Sequence, residues 1–91
     1  MPSSSAETLA LRALTHLAGE PDVLLRFLAL SGLEIDDLRE RAAEPEVLAA
    51  VLDFVLADDG LLRGFAAAED IDPKLVHAAR RALPGAAPEA Y

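Results

Sequence analysis

The stretch Glu44 to Leu62, EPEVLAAVLDFVLADDGLL, limits what this chain can fold into more than any other. A proline start and helical spacing of apolar residues predict a helix of about three turns. Glu46, Ala49, Ala50, Asp53 and Ala57 fall on one narrow stripe, and Val47, Leu48, Val51, Leu52, Phe54, Val55 and Leu56 cover the rest of its circumference. A surface helix shows a single apolar stripe, so a helix with a single polar stripe must be covered on several sides. Acids at both ends and Asp53 inside make the stretch too polar to cross a bilayer. It is expected to be the central helix, over about residues 45–57, of a small bundle.

The remaining segments supply helices to cover it. Met1 to Ser5 reads as a flexible N-terminal lead, residues 6–84 as one helical domain, and residues 85–91 as a flexible tail. Ser4 and Glu7 have capping-box spacing ahead of a first helix over about Ser5 to Ala18, with Ala6, Leu9, Ala10, Ala13, Leu14 and Leu17 inward. Gly19 stands at the permissive C-terminal position. Glu20-Pro21 opens a second helix, with Val23, Leu24, Phe27, Leu28 and Leu30 inward and Ser31-Gly32 ending it. A short third helix, about Ile35 to Ala43, is anchored by Leu33, Ile35, Leu38 and Ala42. Beyond the Asp58-Asp59-Gly60 joint comes a fifth, about Leu61 to Ala68. Gly64 inside it costs about 1 kcal/mol relative to alanine, which close helix packing would explain. Asp72-Pro73 starts a last helix that packs Leu75, Val76, Ala79 and Leu83, and Pro84-Gly85 stops it. No length of chain alternates with period two. The expected fold is all-α: a single compact bundle of five or six short helices.

Charge separates the classes of partner. The net charge is −8, and residues 44–72 hold eight acids against Arg63 alone. Such a surface repels phosphate backbones, so nucleic-acid binding is disfavoured. The chain has no cysteine, which removes disulfides and thiolate metal sites. Neither a secretory signal nor a membrane segment is seen, so the expected location is the cytoplasm and no membrane contact is expected.

Taken together, the run from Ala6 to Gly85 resembles a family of small alphaproteobacterial proteins known only as domain of unknown function three-five-seven-two. Its most recognisable pieces are FLALSGL at Phe27 to Leu33 and VLDFVLADDGLL at Val51 to Leu62. Both are apolar helix ends and turns, which specify a fold more than a chemistry. The third helix departs from the pattern by opening on Glu34-Ile35 rather than an acid-proline pair, which predicts a weakened cap. The resemblance implies no activity, cofactor or catalytic residue.

The residues themselves offer little chemistry. His16 and His77 have no second ligand at helical spacing, and they read as helix-surface histidines. Asp58-Asp59-Gly60 lacks the alternating ligands of a calcium loop. Helix capping accounts for that cluster, and for Glu69, Asp70 and Asp72, without an ion. No serine or threonine lies in a nucleophile turn, and no glycine-rich loop could cradle phosphate. No catalysis, cofactor or metal is therefore expected.

Asp53 admits two readings. Its stripe marks the water-facing edge of the central helix, or the small residues around it let a second helix approach with Asp53 paired to a base. The first is preferred. The expected function is that of a small acidic interaction or adaptor domain binding a protein partner, either a foreign protein or a second copy. Leu11, Asp53, Asp58 and Asp59 are the candidate partner-facing residues. The alternative is a helix-turn-helix regulator built on residues 22–43, with Arg39 and Arg41 as nucleic-acid contacts. Glu34, Asp36, Asp37 and Glu40 crowd that segment and oppose the alternative.

Overall fold

Proline sets the punctuation of the chain. Pro21, Pro45 and Pro73 each occupy the first turn of a helix, where the missing N–H would have had no intrahelical partner. The computed structural model describes residues 1–84, and the expected 85–91 tail lies outside them. Among the described residues the elements are α1 (Ser3–Ala18), α2 (Pro21–Ser31), α3 (Ile35–Arg41), α4 (Pro45–Leu56), α5 (Asp59–Glu69) and α6 (Pro73–Arg81), with no strand. The fold is the expected all-α bundle. Its radius of gyration, 12.3 Å, is that of one packed domain, for which this chain length implies about 12 Å.

The central role of α4 follows from its apolar circumference. It packs against α1, α2, α5 and α6, and buries Val47, Leu48, Ala49, Val51, Leu52, Phe54 and Val55. The partner with the longest contact is α1, whose inner face is small: Ala6, Ala10 and Ala13 are fully buried beside Leu9 and Leu17. Small side chains there let the two axes approach, and α6 packs against both, burying Val76 and Ala79, with Leu83 just past its end also in the core. Each fully buried leucine or valine of this cluster contributes about 1.5–3 kcal/mol.

Several expected details are corrected. Helix α1 begins at Ser3, because the Pro2 carbonyl already accepts the Ala6 N–H at 3.1 Å; no side chain caps it, so Ser4 and Glu7 form no capping box. Gly19 has φ −75°, a right-handed conformation open to any residue. Gly32, by contrast, ends α2 at φ 78°, in the left-handed region that favours glycine. Helix α3 is not weakly capped: Asp37 reaches back to accept the Glu34 N–H at 3.4 Å in a capping box. Being only two turns long, α3 drives one residue, Leu38, into the core, and Ile35 stays exposed. Leu75 also stays exposed, at the edge of the α6 face beside Met1 and Ile71. Helix α5 ends on Asp70 in the left-handed region, φ 55°, with the Ile71 N–H closing back to Ala66 at 3.0 Å.

Gly64 is the clearest correction. A Cβ built there meets nothing within 4 Å, so close packing does not explain the glycine. Gly64→Ala is accordingly expected to stabilise the protein by about 0.5–1 kcal/mol. Thermal denaturation should show this as a rise of a few degrees, roughly 2–6 °C.

Candidate functional site

The outward stripe of α4 is where the bundle stays open. Helix α2 covers one edge of α4 through Phe27 and Phe54, whose rings meet edge-to-face with centroids 5.4 Å apart. Helix α6 also packs on α4, and Ala49, placed by its spacing on the outward stripe, is buried. Over α4 two clefts meet. One, of about 280 Å³, is lined by Phe27, Leu30, Ser31, Ala50, Asp53 and Phe54. The other, of about 300 Å³, is lined by Glu46, Ala49, Ala50, Asp53, Arg80 and Pro84. Ala50 and Asp53 border both, so the two clefts adjoin over α4 as a trough in two parts.

Leu30 dominates its α2 wall. The spacing places Leu30 on the inner face of α2, yet it is 78% exposed, the highest value among the large apolar side chains. The reason is local. Three α4 residues, Ala50, Asp53 and Phe54, line the cleft with it, and Ala50 among them is too short to cover a leucine. Phe27 is the one α2 residue that is fully inserted, and Leu25 is also exposed.

Asp53, shared by the two clefts, combines both readings of its position. Its side chain is 59% exposed, so it faces water; its Oδ1 also accepts from Arg80 Nε of α6 at 2.6 Å. Arg80 is only 14% exposed and donates a second bond to the Pro84 carbonyl at 3.2 Å. The guanidinium is therefore turned down against the bundle while the carboxylate points out.

The other candidate residues are placed apart from this pair. Asp58 caps α5, its Oδ1 accepting from the Leu61 N–H at 3.0 Å, and its other oxygen meets Arg26 at 3.5 Å. Arg26 in turn lies 5.6 Å from the centre of the Phe54 ring. Asp59 pairs with Arg63 one turn along α5. Leu11 is exposed on α1 and lines neither cleft of the trough. Arg41 is engaged by Glu44 at 3.0 Å, and Arg39 is exposed on a helix that also carries Asp36, Asp37 and Glu40. His16 is half-buried with its ring 5.6 Å from Phe65, and His77 is exposed. Among the described residues no three histidine, aspartate or glutamate side chains gather as a metal-holding group. No described helix is long and apolar enough to cross a membrane.

The cap shifts the acidity of Asp58. The Leu61 N–H most of all, with Arg26 and the Gly60 N–H adding to it, holds its carboxyl below the ordinary value of 3.8 against the opposing effect of desolvation. A carboxyl whose folded pKa is lowered stabilises the fold above its unfolded pKa and loses that contribution as pH falls through the folded value. The melting-temperature gap between the wild type and Asp58→Asn is therefore expected to be constant near neutrality and to shrink below about pH 4. A gap unchanged down to about pH 2 would contradict the assignment.

The sequence singles out Asp53, and the structure sets Leu30, Arg80 and the Phe27–Phe54 pair around it. No local signal marks them, because the trough exists only where three helices meet. No curated protein and no solved structure matches the chain. A family model does, over residues 3–86, and the chain belongs to that family, described as "Protein of unknown function (DUF3572)".

Proposed function

We propose that this protein is a non-catalytic interaction domain that binds a protein partner in the trough over α4. The observation that carries this reading is Leu30. A leucine 78% exposed beside an apolar cleft costs the fold nothing to replace, yet it completes a surface of the kind that partner segments bury. Asp58 and Asp59, which cap α5 and pair with its neighbours, serve the fold in this reading, and Asp53 is the acidic candidate that serves the partner. The helix-turn-helix alternative loses support from the engagement of Arg41 by Glu44 and from the acids that crowd α3.

Capture of tagged protein from its own cell extract, with and without nuclease, tests the reading. The wild type and Leu11→Asp are expected to recover the same proteins regardless of nuclease, and Leu30→Asp to lose them. Both leucines are exposed, so neither change should move stability by more than about 0.5 kcal/mol. Loss with Leu11→Asp instead would place the surface on α1. Loss with nuclease would return the helix-turn-helix reading to first place.

A further inference from the structure

We propose that the occupant of the trough is a basic amphipathic helix of a partner protein, an inference that rests on the reading of the trough as the binding surface. The shape selects a helix. The trough is built from helices, so it offers no sheet edge to satisfy the backbone of an extended segment, whereas a helix arrives with its own hydrogen bonds made. Its floor is Ala50, flanked by Phe27 and Phe54, and small floor residues permit the axis-to-axis approach of about 8–10 Å that packed helices require. Leu30 stands at the wall as the residue that an apolar i, i+3, i+4, i+7 stripe would cover.

The charge selects a basic one. Glu46 and Asp53 both line the trough, two helical turns or about 10 Å apart along α4. Asp53 keeps its carboxylate 59% exposed, while the neutralising Arg80 lies almost buried beneath it. Arg80 offsets Asp53, so the excess negative charge of this cleft is that of Glu46, within a segment (residues 44–72) that carries eight acids and one base. A second copy of the chain would bring another −8 to a surface already repelling it, so a foreign cationic segment fits where a homodimer does not. Lysines or arginines flanking the apolar stripe of the partner would meet Glu46 and Asp53.

Three labelled peptides of one length and one leucine–alanine stripe, differing only in lysine, glutamine or glutamate on the polar face, provide the probe. Fluorescence anisotropy is expected to show the lysine peptide binding at least about tenfold more tightly than the glutamine peptide, with the glutamate peptide weakest. Affinity for the lysine peptide should fall with rising salt. It should also fall about tenfold both in Leu30→Ser and in the double variant Glu46→Gln, Asp53→Asn, with Leu11→Ser unchanged. Equal, salt-insensitive binding of the lysine and glutamine peptides that is still lost in Leu30→Ser would overturn the choice of a basic partner and leave the trough standing. Binding of the lysine peptide that survives Leu30→Ser would overturn both. Absence of binding by all three peptides, or a dimer in sedimentation that Leu30→Ser dissolves, would overturn the basic-helix proposal.

Discussion

Leu52→Asp is expected to leave the chain without a cooperative thermal melt. Leu52 is fully buried on α4, the helix that touches α1, α2, α5 and α6. Replacing it forfeits about 1.5–3 kcal/mol of apolar burial. The new carboxylate must in addition be left charged without a partner or be protonated in the core, at a further cost of several kcal/mol. A domain of this size has a total stability of about 5–14 kcal/mol, so the sum removes most or all of it. Circular dichroism against temperature decides the matter. A melt close to that of the wild type would mean that α4 is not the centre of the fold.

Phe27→Ala is expected to have the next largest effect, and a localised one. Phe27 is 1% exposed and is the only residue of α2 buried outright; Val23, Leu24 and Leu28 are half-buried. Truncating a buried phenylalanine costs about 3–5 kcal/mol, and here it also removes the edge-to-face partner of Phe54. Because the α1–α4–α6 contacts do not pass through Phe27, the loss should fall on the docking of α2. Hydrogen exchange is expected to show α2 amides unprotected while α1 and α4 stay protected. A loss below about 1 kcal/mol, or uniform loosening of all helices, would contradict the view that α2 hangs on this one side chain.

The architecture was legible in the sequence because its signals are local. Proline at a first helical turn, an acid before it and glycine after a run of apolar residues act within a few residues, and α2, α4 and α6 start where those signals stand. The apolar circumference of α4 likewise announced its burial. Errors came where a neighbour decides the outcome. Ile35, Leu30 and Leu75 were expected inward from their spacing, but spacing only says which side of a helix a residue occupies, not whether another element covers that side. Ala49 is the opposite case, buried although its spacing places it on the outward stripe. The trough combines these failures. Its exposed leucine, its alanine floor and its Asp53–Arg80 pair, 27 positions apart, come together only through tertiary contact. Gly64 shows a further limit: the sequence marks a glycine in a helix, and only the space around it reveals that no contact demands one.

Photo-cross-linking in living cells tests the claim that the trough over α4 is the working surface most directly. A photoreactive phenylalanine analogue would replace Leu30 or Glu46, both exposed along the trough, or Leu11 and Arg63, exposed elsewhere. The account predicts that irradiation joins positions 30 and 46 to the same protein partner while positions 11 and 63 give none. Adducts from position 11 or 63 without any from 30 and 46 would contradict it, and would move the binding surface to another face of the bundle.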